Sequence, residues 1–205
     1  MPLMSRLITA AIACAVAVAP AAAQSRNGDA PRWGSVYDGY GNAVFASAGH
    51  AFAAHTSDGD FDVSGFSGGG GYRRAFLRRA GFRFFFQPEI VYVRESEGVD
   101  ILGVEIDNTL WGLAGLLSTR VEYPNAFLTP FVSAGVGPAY FETVVDDGIS
   151  KIKDGELAVG YGARAGVERA ITRQISLEAA YRYLGATREQ AIGFHGAEIG
   201  VNYNF

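Results

Sequence analysis

The sequence predicts an all-β protein: an eight-stranded antiparallel transmembrane β-barrel, preceded by a cleavable signal peptide. Apolar residues alternate with small or polar ones along one segment after another, which is the pattern of a strand with two different faces. Glycine is abundant, with 27 residues, and aromatic residues make up 13% of the chain. Mean hydropathy is +0.11, yet no apolar run of about 18 residues, the length of a membrane helix, follows the N-terminus.

The N-terminus has the three parts of a secretory signal. Arg6 supplies the positive charge, Leu7–Val18 forms a short apolar stretch, and Ala21–Ala23 provides a small-residue cleavage site. Cys14, the only cysteine, lies inside this signal, so the mature chain is expected to form no disulfide. The predicted order is a signal peptide over 1–23, a polar periplasmic lead-in over 24–42, and the barrel over 43–205. The sequence does not decide whether the lead-in forms a plug, a helix or a disordered tail.

The strand pattern is clearest at the C-terminal end. In 195–205 the odd positions are mostly apolar and end in aromatic residues, whereas the even positions are small or polar. The same alternation occurs in 174–184 and 157–168 and in earlier segments. Eight such segments reach about ten residues or more, which is enough to cross a bilayer at a tilt. In the first two segments, 43–56 and 61–76, the sequence does not show which face points inward, because both faces of each are rich in glycine and alanine.

The connections alternate between short and long. The short ones are 77–81, 123–127 and 170–173, and the longer, more polar ones are 57–60, 95–107, 146–156 and 185–191. Outer-membrane barrels have short periplasmic turns and longer outer loops. Both chain ends are therefore expected on the periplasmic side.

Outward-facing aromatic residues are predicted near both ends of the barrel. Amphipathic rings favour the membrane–water boundary, so these residues would form two aromatic girdles. The periplasmic girdle comprises Phe82, Phe84, Tyr123, Tyr203 and Phe205, and the outer girdle comprises Tyr92, Trp111, Tyr140, Tyr161 and Tyr183.

The inward face is predicted to consist largely of glycine and serine with a set of charged residues. The charged residues are Arg83, Glu89, Arg120, Glu122, Arg164, Glu168, Glu178, Arg182 and Glu198. Two interpretations are open: an ion-pair network that fills the lumen, or a path for protons or ions. Because an eight-stranded barrel is only wide enough to be filled by side chains, the ion-pair network is favoured.

These features resemble the small outer-membrane barrel family that includes the OmpA transmembrane domain and the opacity-type surface proteins. The resemblance rests on the signal, the strand rhythm, the Phe66–Tyr72 glycine stretch and the Val201–Phe205 ending. It implies a bacterial outer-membrane location, with outer-membrane lipid and lipopolysaccharide as neighbours. It also implies that Val201, Tyr203 and Phe205 act as a signal to the outer-membrane assembly machinery. Because no further domain follows Phe205, a wall-anchoring role is not expected.

No catalytic, metal or cofactor site is predicted. Lipid A deacylase barrels carry a serine two residues from a histidine on one face, but Ala197 occupies that position after His195, which is expected to face lipid near the outer end. His50 and His55 are expected in a girdle or loop. The acidic loops lack the twelve-residue calcium pattern, and a net charge of −4 gives no footprint for nucleic acid.

The predicted function is structural or surface-interacting, adhesin-like, through outer loops that contact a host or surface ligand. The alternative is a narrow pore for small solutes. A soluble lipocalin-like binding barrel and a lipid-modifying enzyme are less favoured. A lipocalin-like barrel would place apolar residues inside and charges outside, opposite to the pattern predicted here.

Overall fold

A computed structural model describes residues 41–56, 59–61, 64–101, 104–124, 127–146, 151–187 and 192–205. The predicted signal peptide and residues 24–40 of the lead-in lie outside this part. The described residues contain no helix long and apolar enough to cross a membrane. The strands are β1 (Asn42–Thr56), β2 (Gly59–Phe61), β3 (Gly65–Arg79), β4 (Phe82–Ile101), β5 (Val104–Glu122), β6 (Thr129–Asp146), β7 (Lys151–Ala170), β8 (Ile175–Thr187) and β9 (Ile192–Asn204).

The strands form one antiparallel sheet that closes on itself. Each long strand pairs with its neighbour in sequence, and β1 pairs with β9 from Ala43 opposite Asn204 to His55 opposite Gly193. The three-residue β2 pairs only with the end of β1. Eight strands therefore make the ring, which confirms the predicted fold. Closure leaves no sheet edge in the membrane, where an unpaired backbone group costs several kcal/mol.

The outer hairpins are more regular than predicted. The predicted loop 95–107 is instead mostly paired strand, because β4 and β5 stay in register as far as Ile101 opposite Val104. The hydrophobic residues Val99, Ile101 and Val104 favour strand structure between the acids. In the same way β7 begins at Lys151, inside the predicted loop 146–156.

The periplasmic end carries the short turns and both ends of the described chain. The β3–β4 turn has only two residues, Ala80 (φ 52°) and Gly81 (φ 84°). Positive φ at both positions matches the twist of the flanking strands. A bulge between Ala75 and Leu77 precedes this turn.

The outer wall is apolar. Exposed apolar side chains point outward from the ring, among them Ile90, Leu117, Val136, Leu157 and Ile199. Ile199 is 74% exposed. A water-soluble barrel does not expose a continuous band of this kind. The wall matches the lipid-facing band of a membrane barrel and excludes the soluble lipocalin-like alternative.

Candidate functional site: the barrel interior

Eleven arginine and glutamate side chains of the described residues are buried, and ten of them meet in one cluster inside the barrel. Strict alternation along the strands directs them inward. Five of the ten are arginines and five are glutamates, so the cluster is balanced in formal charge. Its members are Arg73, Arg83, Arg120, Arg164, Arg182, Glu89, Glu122, Glu168, Glu178 and Glu198. The eleventh, Glu95, follows the apolar residues Val91 and Val93 on the inward face of β4.

Glu168 on β7 joins three strands at the periplasmic end of this cluster. Arg73 binds it in a bidentate manner, with nitrogen–oxygen distances of 2.8 and 2.9 Å. Arg120 donates to the same carboxylate at 2.5 Å, and the Ser176 hydroxyl donates at 2.5 Å. Charge-assisted, bidentate contacts of this kind are the strongest hydrogen bonds that side chains make.

Arg120 on β5 is the centre of the cluster. Its Nε donates to Glu122 at 2.8 Å, and its Nη1 donates to Glu178 at 2.9 Å. Glu122 also accepts from Arg83 at 2.7 Å. The Arg120 guanidinium lies 3.5 Å from the centre of the Phe131 ring, which places β6 in contact with the same group.

The remaining pairs continue from Glu178 towards the outer end. Arg164 binds Glu178 at 2.5 Å and Glu198 at 3.4 Å. Arg182 then links Glu198, at 2.8 Å, to Glu89, at 3.2 Å. All ten charged groups therefore belong to one connected network.

Arg73 is the member that sequence reasoning missed. The nine predicted residues all lie in this network, but they comprise four arginines and five glutamates. The faces of the glycine-rich strand β3 could not be assigned, and Arg73 and Arg74 are adjacent arginines on opposite faces. The unmatched fifth glutamate was the available signal, because a buried carboxylate needs a cationic or hydrogen-bonding partner.

An apolar layer lies above the network, towards the outer end. It comprises Val91, Val93, Ala114, Leu116, Ala139, Phe141, Leu184, Ala186, Ile192 and Phe194, all buried. Phe141 and Phe194 stack with their ring centres 5.7 Å apart and their planes 7° from parallel. The predicted charged residues therefore lie in the periplasmic part of the lumen, and the sequence analysis did not predict this apolar layer.

The outward aromatic residues occupy both ends of the wall. All ten predicted girdle residues have side chains on the outer face, partly or fully exposed. Several contact one another across strands: Phe82 with Tyr123 at 5.2 Å, and Trp111 with Tyr140 at 5.5 Å between ring centres. Such pairs brace neighbouring strands.

His195 lies on the outer face of β9, as expected, but neighbouring side chains shield it. It is 8% exposed, its Nδ1 is hydrogen-bonded to the Tyr181 hydroxyl, and its ring lies 4.9 Å from that of Tyr183. The next outward residue on the strand is Ala197, so the position two residues after His195 carries no hydroxyl nucleophile. His50 is exposed on the outer wall, and the side chain of His55 lies outside the described residues.

A closed ring with an apolar outer wall, a filled interior and short turns at one end defines an integral outer-membrane β-barrel protein. The sequence matches the family model "Outer membrane protein beta-barrel domain" over residues 9–205. The chain belongs to this family, and its location is the bacterial outer membrane.

The chain is similar to several solved structures. Neisserial surface protein A (NspA) is 23% identical with a TM-score of 0.53, over 80% of this chain and 97% of that one. The outer membrane enzyme PagL is 16% identical with a TM-score of 0.49, over 77% and 97%. Ail, the attachment invasion locus protein of Yersinia pestis, is 14% identical with a TM-score of 0.47, over 81% and 99%. No curated protein matches the sequence.

Proposed function

We propose that this protein is a non-enzymatic, non-conducting outer-membrane barrel that serves as a scaffold for surface interaction. The observation that supports this most directly is the double closure of the lumen. The ion-pair network fills its periplasmic part, and the stacked Phe141 and Phe194 belong to an apolar layer above it. An ion would have to displace both layers to pass, at a high desolvation cost.

Conductance in planar bilayers tests the closure. The refolded full chain is expected to give no stable unitary current steps, with a large-pore porin in the same membrane as the positive control. Reproducible steps from the folded protein would favour the alternative, a narrow pore for small solutes. The folded state is checked beforehand on gels, because closed membrane barrels change mobility when they are boiled.

The surface role is supported by a sheet that rises above the closed ring. Strands β4 to β7 have 18 to 20 residues, whereas about ten suffice to cross the membrane. Residues 151–158 of β7 lie beyond its described pairing with β8, which starts at Val159. Ile152 has the inward parity but is 65% exposed, so the strand has left the lumen there.

A strand edge of this kind can bind another chain by strand addition. The proposed ligand is a host or surface molecule that contacts the outer hairpins. Adhesion of bacteria expressing the protein to an epithelial monolayer is the test. The test variant replaces residues 143–154 by Asn-Gly, so that a two-residue turn joins Glu142 to Gly155, which are register partners. The variant keeps Phe141 and is expected to abolish adhesion.

The matched control replaces only residues 147–150 by Asn-Gly and retains the β6–β7 pairing. This variant is expected to adhere if the raised sheet is the binding surface. Equal adhesion by expressing and non-expressing bacteria would refute the surface role.

We also propose that Val201, Tyr203 and Phe205 form the signal that the assembly machinery reads. They face outward at the end of the closing strand and are exposed. Phe205→Ala is expected to lower the amount in the outer membrane of cells but to leave refolding into pure lipid vesicles unchanged. A parallel loss in both measurements would indicate a role in stability instead.

A further inference from the structure

The periplasmic rim of the barrel carries four exposed arginines on its outer face and in a turn. Arg74 and Arg79 belong to the last part of β3, before the two-residue turn. Arg169 lies near the end of β7, and Arg173 lies in the turn that follows it. We call these four residues the arginine rim.

Among the described residues at this end of the barrel, no exposed acidic side chain lies beside the arginine rim. In the described residues of the periplasmic turns and the strand ends beside them, the acids are Glu122, Glu168 and Glu178. All three are buried in the lumen and are bound to interior arginines. The outward charge that the described residues carry at this end of the barrel is therefore positive. The opposite end has many acids in its sequence, among them Asp146 and Asp154.

Apolar side chains surround the rim arginines on the outer wall. Phe76 is 60% exposed, and Leu77 is exposed beside it. Phe127 is 64% exposed, and the Arg169 guanidinium lies 4.7 Å from the centre of its ring. A cation at the edge of an apolar, lipid-facing wall lies at the depth of the lipid headgroups.

We propose that the arginine rim binds the phosphate groups of anionic phospholipids in the periplasmic leaflet. Guanidinium groups bind phosphate oxygens in a bidentate manner. The exposed phenylalanine and leucine side chains beneath would contact the acyl chains of the same lipids. A soluble acidic partner would not need this apolar surface, and it therefore fits the rim less well.

Electron spin resonance with spin-labelled lipids tests the proposal on the full chain in vesicles. The probes are spin-labelled phosphatidylglycerol and phosphatidylcholine in a phosphatidylcholine host. Each arginine near an anionic surface is expected to contribute about fivefold in lipid association. The wild-type protein is therefore expected to bind phosphatidylglycerol at least about fivefold more strongly than phosphatidylcholine. This preference should largely vanish at 1 M salt, where the screening length is about 3 Å.

The test variant is Arg74→Gln/Arg79→Gln, which is expected to lose most of the preference. Arg74→Lys/Arg79→Lys keeps the charge and is expected to retain part of it. The control Lys151→Gln/Lys153→Gln removes two cations from the outer β6–β7 hairpin and should leave the preference unchanged. All variants are checked for the heat-dependent gel shift before lipid is measured.

Two results would overturn the proposal. Equal binding of the two lipids by the wild-type protein would show that the rim does not select anionic lipid, and would leave a soluble acidic partner as the alternative. An equal loss in the rim variant and in the hairpin control would show that net charge, and not the rim, causes the preference. Neither result bears on the conductance or adhesion tests.

Discussion

Replacing Arg120 by alanine is expected to lower the free energy of unfolding of the barrel substantially. This side chain is 1% exposed and binds three carboxylates, those of Glu122, Glu168 and Glu178. It also covers the Phe131 ring. Arg120→Ala would leave the five glutamates of the network facing four arginines.

The expected loss of stability follows from these contacts. Breaking one buried ion pair by removing one partner costs about 3–5 kcal/mol, because the other charge stays buried without compensation. Arg120 has three partners, so Arg120→Ala should lie at the upper end, about 5 kcal/mol. Removing Glu168 as well restores charge balance. The double variant should therefore cost less than the sum of the single variants, by about 1–3 kcal/mol.

Urea unfolding of the barrel in lipid vesicles measures these values, with Trp111 on the outer wall as the fluorescent reporter. Gln174→Ala, in the exposed β7–β8 turn, is the control and should change the free energy of unfolding by no more than about 0.5 kcal/mol. An Arg120→Ala cost below about 1 kcal/mol, or strict additivity with Glu168→Ala, would refute the idea of a coupled network.

Two further substitutions use the same unfolding assay. Gly112→Ala is expected to cost about 1–3 kcal/mol of stability, because the alanine Cβ would lie 2.3 Å from the Phe141 ring. A Phe141→Leu background should relieve most of this cost. The absence of relief would mean that the strain lies elsewhere. Ile199→Arg is expected to cost about 2–4 kcal/mol, because it puts a charge into lipid. Gln174→Arg in the exposed β7–β8 turn should cost far less, and equal costs would contradict a lipid-facing Ile199.

Alternation predicted most of the fold because each strand separates two unlike environments. In β8, Leu177 and Ala179 face lipid, whereas Glu178 faces the ion pairs, and the sequence shows this contrast directly. The closed ring follows from the number of such segments and from the exclusion of free edges in lipid. The inward positions of the nine predicted charges therefore required no knowledge of tertiary contacts.

The prediction fails where the two faces are chemically alike. Ile90, Val91, Tyr92 and Val93 form an unbroken apolar run, although Val91 and Val93 are buried inside and Ile90 is exposed to lipid. No alternation is visible there, so the apolar layer of the lumen could not be predicted. The lengths of the outer loops were overestimated for a different reason. Acidic residues indicated loops, but the pairing of the long strands outweighed the low strand propensity of these acidic residues.

The interior charges are not explained by stability alone. A buried ion-pair network is often no more stable than apolar side chains of the same volume. In a membrane, however, a strand with two apolar faces has no preference for which face points inward. We infer that the network fixes the facing of each strand. A one-residue slip of β8 would place Glu178 and Arg182 in lipid, and the arginine alone would cost about 2–4 kcal/mol.

Cross-linking can separate this role from stability. Cysteines at Ala179 and Ile199, which are register partners on β8 and β9, should form one disulfide product in the native barrel. Glu178→Leu/Arg182→Leu removes one charge of each sign and makes the two faces of β8 alike. This background is expected to reduce the native cross-link and to yield folded barrels that fail to form it.

The control Ile175→Ala/Leu177→Ala, on the lipid-facing side of the same strand, should retain the native product. A charge-free β8 that still cross-links completely would show that strand facing is set by the turns and by the neighbouring strands.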